Sequence, residues 1–179
     1  MLKKSRGIHP LTRRQEQSVT WAQKPIQVMP APERVYIPLV QHLGSPAEPA
    51  VQKGQFVRLG EIIAARHGQV SANIHSSVSG KVAEIVNYNN AAGMPVPTIV
   101  INNDNNYERA EFISNPSPSR EEIIAAAEKM GLAGMGGAAF PTHVKLSTKD
   151  KIDFLIINGA ECEPYLTADN RQMIEHPQD

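Results

Sequence analysis

Short runs of β-branched and aliphatic residues alternate with clusters of glycine, proline and asparagine across the middle of the chain. The runs are VYIPLV, QFVRL, EIIAA, KVAEIV and PTIVIN. Runs of this length and composition, bounded by turn residues, are typical of β-strands. The pattern therefore predicts a small all-β domain over residues 35–103.

A helical pattern follows in SREEIIAAAEKMG, residues 119–131. Ser119 and Glu122 have the spacing of a capping box, which satisfies two backbone N–H groups at the start of a helix. Apolar residues then recur at helical spacing, and Gly131 is a typical helix stop. The pattern predicts a helix between these two signals.

Further elements are predicted after this helix. Pro141 is favoured in the first turn of a helix, so a second, short helix is expected there. The apolar run DFLIIN, residues 153–158, is typical of a buried strand. Helix, loop, helix and strand in this order indicate an incomplete α/β domain over residues 119–179. The whole chain is thus expected to be of mixed α and β class.

Two stretches carry neither pattern. Residues 1–34 contain four prolines and few apolar repeats, which predict an extended arm lying on another part of the protein. Residues 104–118, DNNYERAEFISNPSP, are polar and rich in turn formers, which predicts a linker between the two domains.

Composition narrows the classes of protein to consider. Lysine plus arginine, 18 residues, equals aspartate plus glutamate, 18 residues, so no net charge attracts nucleic acid, and no such partner is expected. The single cysteine, Cys162, excludes a disulfide framework and a self-contained iron–sulfur cluster, and it favours a reducing cytoplasmic setting. No apolar run approaches the roughly 20 residues of a membrane span. The basic start lacks the apolar segment of a signal peptide, so export is not expected.

The predicted β domain resembles the barrel-sandwich hybrid fold of lipoyl and biotinyl carrier domains. The resemblance rests on the glycine spacing of VQKGQFVRLGEIIA and on the second half, IHSSVSGKVAEI. In such carriers the acceptor lysine lies at an exposed hairpin tip, whereas the corresponding tip here reads ARHGQV. Lys81 comes later, in the second half. A docking or structural module is therefore favoured over a modified carrier.

Three histidines of this region, His42, His67 and His75, raise the question of a metal site. They lack a paired cysteine or carboxylate at ligand spacing. Satisfied or exposed histidines are therefore expected, and no metal ion.

Candidate chemistry begins with GMGGAAFPTHVKL, residues 134–146. Glycine allows the backbone to adopt positive φ and to approach a ligand without a Cβ, so that successive N–H groups can point at an anion. A helix start after the loop and the cation of Lys145 would add positive charge. The loop matches neither the P-loop nor the dinucleotide fingerprint. The alternative is a tight connection in which small residues let two helices pack closely.

A polar segment follows the predicted strand in LIINGAECEPYLTADNR. Ligands of open α/β sheets bind at the carboxyl ends of strands, and Asn158, Glu161 and Glu163 follow such an end. The two carboxylates could accept hydrogen bonds from ribose hydroxyls or ring N–H groups, and the amide could both donate and accept. A solvated acidic turn is the alternative. Together with the glycine loop, the segment favours a nucleotide site.

GLAGMGGAAFPTHVKL and IINGAECEPYLTADNR together resemble the C subunit of the Rnf/Rsx electron transport complex. The likeness extends through SANIHSSVSGKVAEI to GIHP near the start. That family is related to the NADH-oxidising flavoprotein subunit of respiratory complex I. The resemblance implies a subunit of a membrane-associated, ion-translocating NAD(H)–ferredoxin oxidoreductase, with the other subunits of the complex, NADH and a ferredoxin-type carrier as partners. It also implies a peripheral position on the cytoplasmic side of the bacterial inner membrane.

By this resemblance, FMN would be held by Gly134, Gly136, Gly137, Lys145, Asn158 and Glu161. Phe140 and Glu163 would face NADH, and no side chain would act as a catalyst because the flavin carries the chemistry. The chain departs from the complex I relatives at Met135, where they carry an arginine, and at Ala160, where they carry an aspartate. Both departures remove charge from the site.

Members of that family continue into the rest of the flavin domain, a further β-rich domain and two four-cysteine motifs. The resemblance therefore identifies this chain as an N-terminal portion, with [4Fe–4S] clusters expected only in the part it lacks. The chain alone is expected to be inactive and to bind FMN weakly or not at all. The alternative function is a non-catalytic docking module, with the β domain and the arm as working parts and an empty flavin half-site.

Overall fold

A computed structural model describes residues 24–90, 92–135, 137–156 and 167–178. The chain divides into two compact units, one of residues 31–150 and one of residues 1–30 together with 151–179. The described residues of the larger unit hold two β-sheets and two helices, and those of the smaller unit hold one helix. The predicted mixed α and β class is confirmed.

The two sheets of the larger unit are antiparallel and contain every run predicted to be a strand within residues 35–103. The first has the order β1-β7-β6-β3, and the second has the order β2-β4-β5. The strands are β1 (Arg34–Pro38), β2 (Glu48–Pro49), β3 (Phe56–Val57), β4 (Ile62–Ala65), β5 (Ile74–His75), β6 (Gly80–Asn89) and β7 (Pro95–Asn103). The pattern missed β2 and β5, because two residues are too few to show an alternation.

One apolar cluster joins the two sheets. Ile99 and Ile101 of the long strand β7 contribute to it, as do Val57 of β3 and Ile63 of β4, and all four side chains are fully buried. Because side chains alternate across a strand, Thr98 of β7 faces the opposite side of its sheet. Truncating one of these buried isoleucines to alanine would cost about 2–5 kcal/mol of stability.

Helix α1 (Arg120–Lys129) confirms the helix predicted from the capping box. The Ser119 hydroxyl accepts a hydrogen bond from the Glu122 N–H at 3.2 Å, and the Glu122 carboxylate accepts one from the Ser119 N–H at 2.8 Å. These hydrogen bonds lower the pKa of Glu122. The helix ends before Gly131, whose φ of +63° is the left-handed conformation of a helix stop.

Helix α2 (Thr142–Leu146) confirms the second, short helix, with Pro141 at its N-cap. The Arg120 guanidinium at the start of α1 donates hydrogen bonds to the carbonyls of Leu146 at 3.1 Å and Thr148 at 2.6 Å. These two carbonyls lie at the end of α2, where the helix leaves its acceptors unsatisfied. The contact holds the start of α1 against the end of α2.

The strand predicted at DFLIIN is wrong for the part that the structure describes, residues 153–156. These residues form neither strand nor helix, and Phe154, Leu155 and Ile156 are 87%, 82% and 87% exposed. A buried strand needs neighbouring strands for its backbone hydrogen bonds and a second layer over its side chains. Residues 153–156 belong to no described strand and are exposed, so the apolar pattern alone does not make a buried strand. Residues 157 and 158 lie outside the described residues.

The smaller unit contains helix α3 (Ala168–Glu175), which the sequence pattern missed because Met173 and Ile174 alone do not make an apolar stripe. Arg171 pairs with Glu175 one turn along the helix, and this hydrogen bond is the main cause of a lowered Glu175 pKa. The same carboxylate accepts a hydrogen bond from the Ile26 N–H at 3.0 Å. This contact joins the described end of the predicted arm to α3. None of the helices in the described ranges has the length and apolar character needed to cross a bilayer.

Candidate functional site

The glycine-rich stretch forms a loop between α1 and α2 that is closed at its base. The Thr142 N–H donates to the Leu132 carbonyl at 2.8 Å, and the Gly134 N–H donates to the Phe140 carbonyl at 3.0 Å. The chain therefore leaves α1 and enters α2 at nearly the same place. Because the Gly134 N–H is hydrogen-bonded within the loop, the backbone N–H groups open to a ligand are those at the tip of the loop.

The tip of the loop exposes backbone with very little side chain. Gly137 has a φ of +60°, and a Cβ added to it would have no atom within 4 Å. No hydrogen bond between described residues uses the amide of Gly137 or Ala138. Bare backbone N–H groups of this kind are what an anion-binding loop offers, so the loop fits a phosphate-bearing cofactor. Gly136 lies outside the described residues.

Ala139 is held in a conformation that an L-residue rarely adopts. Its φ of +48° is left-handed, which costs a residue with a Cβ about 1–2 kcal/mol. The Ala139 carbonyl accepts a hydrogen bond from the Leu43 N–H, which lies before β2, at 3.2 Å. The far side of the loop is therefore attached to the β-sheet region.

The residues predicted for the two nucleotides, Lys145 and Phe140, lie side by side. The Lys145 Nζ is 5.8 Å from the centroid of the Phe140 ring, within the range of a cation–π interaction. The lysine is exposed and the phenylalanine half-buried. Because α2 has only five residues, most of the positive charge beside the loop comes from the ammonium group rather than from the helix dipole.

The C-terminal end of α1 is capped by the connection between β4 and β5. The Asn73 side-chain amide donates to the carbonyl of Lys129 at 3.0 Å and, more weakly, to that of Glu128 at 3.4 Å. The Arg66 guanidinium pairs with the Glu128 carboxylate. The two Asn73 hydrogen bonds satisfy helix carbonyls that have no partner within the helix. We call Arg66 and Asn73, with the end of α1 that they contact, the clamp.

Gly131, just after α1, lies in close contact with the backbone of Asn73. A Cβ added to it would lie 2.0 Å from the Asn73 carbonyl oxygen, far inside van der Waals contact. Its left-handed φ also disfavours any other residue. The glycine at this helix stop is thus required both by the turn and by the packing against the residue before β5.

A cleft of about 380 Å³ opens beside the loop. It is lined by Gln41, His42, Ala72, Asn73, Ile74, His75, Gly131, Ala133, Gly134, Met135 and Ala139. His42 is buried, its Nδ1 lies 3.2 Å from the Leu43 carbonyl, and its Nε2 accepts from the Ala72 N–H at 3.2 Å. Burial lowers the pKa of His75, and a hydrogen bond with the Lys129 backbone opposes the shift. Burial therefore disfavours a positive charge on His75.

His143, in the first turn of α2, is buried without a hydrogen-bond partner for either ring nitrogen among the described residues. Burial is the main cause of its lowered pKa; nearby Arg66 lowers it further, and Glu128 opposes the shift. The ring is therefore neutral at neutral pH. Sequence reasoning missed His143, Arg66 and Asn73, because no local pattern marks a residue whose role depends on a distant element.

The second half of the predicted site falls on residues 157–166. Asn158, Glu161 and Glu163 lie outside the described residues, as does Ala160.

Of the three histidines that raised the question of a metal site, His67 is exposed with its Nδ1 3.2 Å from the Glu48 carboxylate. The described ranges contain no group of three or more histidine, cysteine, aspartate or glutamate side chains placed to hold a metal ion.

Comparison with known proteins decides the family. The family model of the RnfC barrel sandwich hybrid domain matches residues 2–106. The chain belongs to the RnfC family. A second model, of the Nuo51 FMN-binding domain, matches residues 127–179, which include the glycine loop and α2. The predicted barrel-sandwich hybrid, the beginning of an FMN-binding domain after it, and the resemblance to the C subunit of the Rnf/Rsx complex are all confirmed.

Curated RnfC relatives resemble the chain over nearly its whole length. It is 44% identical to the C subunit of the proton-translocating ferredoxin:NAD(+) oxidoreductase complex of Clostridium ljungdahlii, over 98% of this chain and 39% of the relative. It is 42% identical to the C subunit of the ion-translocating oxidoreductase complex of Rhodobacter capsulatus, over 97% and 34%. It is 41% identical to the C subunit of the Na(+)-translocating ferredoxin:NAD(+) oxidoreductase complex of Acetobacterium woodii, over 93% and 38%. The chain thus spans only 34% to 39% of the length of these relatives.

Proposed function

We propose that this chain contributes part of the FMN and NADH site of the RnfC subunit in an ion-translocating NAD(H)–ferredoxin oxidoreductase complex. One observation supports the proposal above the others. The segment matched by an FMN-binding domain contains a loop that is closed at its base, exposes glycine backbone at its tip, and has Lys145 beside it. A phosphate group needs this combination of backbone amides and a cation.

The proposed roles divide between two ligands. Gly134, Gly136 and Gly137 would let the backbone approach FMN, and Lys145 would neutralise its phosphate. Asn158 and Glu161 would hydrogen-bond the flavin, while Phe140 and Glu163 would face NADH. Bound FMN would supply the conversion between two-electron and one-electron transfer. The side chains of this chain would bind and orient the ligands.

Because Met135 is uncharged, Lys145 would supply more of the positive charge that binds the FMN phosphate. Met135 lies in the loop with its side chain fully exposed and carries no charge that could contact a phosphate. The Lys145 ammonium lies above the ring of Phe140, which belongs to the loop. We therefore expect phosphate binding to depend on Lys145 more strongly than it would in a loop that also carried an arginine.

We infer the wider setting from family membership. The partners would be the other subunits of the complex and a ferredoxin-type carrier, and the position would be peripheral on the cytoplasmic side of the bacterial inner membrane. The [4Fe–4S] clusters would be held by residues that this chain lacks. The proposed division is an arm of residues 1–34, the barrel-sandwich hybrid of residues 35–103, a linker of residues 104–118, and part of an FMN/NADH domain from residue 119.

A titration with FMN and with riboflavin tests the proposal, because the two ligands differ only in the phosphate. We expect the isolated chain to bind FMN with a dissociation constant well above 1 μM, on the order of 100 μM, because only part of the pocket is present. Riboflavin should bind about tenfold more weakly, since it lacks the group that Lys145 contacts. In the complete subunit, addition of NADH under anaerobic conditions should bleach the flavin absorbance. Equal binding of both flavins would contradict the phosphate site, and no flavin binding by the complete subunit would favour the docking module.

A further inference from the structure

The connection between β4 and β5 is the part of this fold in which carrier domains present their lysine. Here it carries Arg66 and Asn73 instead, and both contact α1. The two residues are also tied to each other, because the Arg66 N–H donates to the Asn73 side-chain oxygen at 2.9 Å. A further hydrogen bond from the Arg66 guanidinium to the Gly68 carbonyl, at 2.8 Å, orients the arginine. The connection is therefore built to hold a fixed geometry.

The clamp lies directly next to the base of the glycine loop. Glu128 and Lys129, which it contacts, are followed by Gly131, which touches the Asn73 backbone. The next residue, Leu132, accepts the hydrogen bond that closes the loop. A displacement of the end of α1 would thus reach the loop within a few residues.

A second attachment lies on the other side of the loop, where the Leu43 N–H donates to the Ala139 carbonyl. The β-sheet region therefore contacts the segment both before and after the exposed tip. A loop whose two sides are fixed loses less conformational entropy when it binds a ligand, which raises its affinity.

We propose that the clamp positions the glycine loop for FMN, with Arg66 and Asn73 as positioning residues that touch no ligand. This inference rests on the proposed function of the loop. The site at which a carrier domain holds a mobile prosthetic group would here be a fixed support for a cofactor site in the following domain. The barrel-sandwich hybrid would then act on FMN through the end of α1.

The ion pair of the clamp offers a charge-reversal test with an internal control. Its side chains are 29% and 36% exposed, whereas the Arg58–Glu108 pair of the same unit is 50% and 52% exposed, with the ions 2.5 Å apart. Arg66→Glu and Glu128→Arg each place like charges together in the clamp, and the double variant restores an ion pair of reversed sense. Arg58→Glu and Glu108→Arg make the same changes away from the loop.

The first measurement is amide hydrogen exchange of the loop base in the isolated chain. We expect Arg66→Glu and Glu128→Arg each to raise the exchange rates of the Gly134 and Thr142 amides about tenfold, and the double variant to return them to within about threefold of the original rates. Core amides of β7 should not change, which shows that the barrel remains folded. The Arg58 and Glu108 variants should leave the loop amides unchanged.

The second measurement is FMN affinity of the complete RnfC subunit carrying the same changes, with Asn73→Ala as a further variant in case charge reversal unfolds the protein. Each single clamp variant and Asn73→Ala should weaken FMN binding about tenfold, and the double charge reversal should restore it. Unchanged loop exchange and unchanged FMN affinity in all clamp variants would overturn the inference, as would equal effects of the Arg58 control. If the clamp variants alter loop exchange as expected but no variant binds any flavin, the proposed FMN site is wrong while the clamp stands as a support of the loop.

Discussion

The Lys145 ammonium lies 5.8 Å from the centre of the Phe140 ring, so the cation and the aromatic face beside the loop form one surface. The Phe140 carbonyl also accepts the Gly134 N–H that closes the loop. A change at Phe140 would therefore disturb both the ring and the neighbouring cation. Lys145, which is exposed at the end of α2, offers the cleaner test of the phosphate site.

In the complete RnfC subunit, Lys145→Ala should weaken FMN binding by roughly tenfold to a hundredfold. The reason is that a charge-assisted contact to a phosphate is worth about 1.5–3 kcal/mol. Calorimetric titration measures the effect, and riboflavin affinity should not change. Lys149→Ala, which removes another exposed lysine just after α2, is the matched control and should leave FMN affinity unchanged. Equal losses in the two variants would mean that general charge, rather than a contact, attracts FMN.

In the complete RnfC subunit, Glu163→Ala should affect NADH rather than FMN. In the proposed assignment this carboxylate accepts hydrogen bonds from the nicotinamide nucleotide, so its loss should raise the NADH concentration needed for half-maximal bleaching of the flavin by roughly tenfold. FMN content should stay as in the original protein. If the variant loses its flavin instead, the role assignments of Glu163 and Lys145 are reversed.

Ala139→Gly should stabilise the chain, because glycine adopts the observed left-handed φ of +48° without the penalty of a Cβ. The gain should be below about 1 kcal/mol, since glycine also makes the unfolded chain more flexible. Ala138→Gly is the matched control. Because Ala138 is not left-handed, glycine relieves no strain there and only makes the unfolded chain more flexible, which lowers stability. Thermal unfolding of the two variants should shift in opposite directions. A lower unfolding temperature for Ala139→Gly would contradict the strain.

Stability should fall as the pH drops below 6.5. The pKa values of His75 and His143 are both lowered from 6.5, mainly by burial, so the unfolded chain binds more protons than the folded one just below that pH. Their contribution is complete above pH 6.5 and is lost as the pH falls towards the folded-state pKa values, by up to about 1.4 kcal/mol per pH unit for each group.

His143→Gln separates the two contributions to this pH dependence. Denaturant unfolding between pH 5 and 8 should show a smaller slope for the variant below pH 6.5 and the same slope as the original chain above pH 7. Carboxylates such as Asp104, whose pKa is lowered from its ordinary value of 3.8, change charge below this pH range and do not contribute to the slope. An unchanged slope below pH 6.5 would mean that His143 does not contribute to it.

Lys81 should remain unmodified in cells that lipoylate and biotinylate their carrier domains. It lies within β6, paired with Phe56 of β3, rather than at a free hairpin tip. The tip that corresponds to the carrier lysine contains Arg66, which is engaged with Glu128. Intact mass spectrometry of the expressed chain should give the unmodified mass. A lipoyl or biotinyl increment would show that the barrel acts as a carrier.

Several parts of this protein followed from local sequence. The Ser119–Glu122 capping box and Gly131 predicted α1, because the signals that start and stop a helix lie within a few residues of the groups they satisfy. The β-branched runs predicted five of the strands for a similar reason. The helix α3 and the two-residue strands β2 and β5 were missed because their residues carry no periodic pattern of their own.

Tertiary structure decided what local patterns could not. DFLIIN has the composition of a buried strand, yet the described residues 153–156 are exposed, because burial depends on neighbours that the pattern does not contain. The clamp joins Arg66 to Glu128, 62 residues away. The hairpin tip is thereby attached to α1, whereas the corresponding tip of a carrier domain presents a mobile lysine. His143 lies two residues after Pro141, and nothing in the local sequence shows that packing will bury its ring. Local sequence thus determined most of the elements and the family motifs, whereas the contacts between the β-sheet region and the glycine loop arise only when distant segments meet.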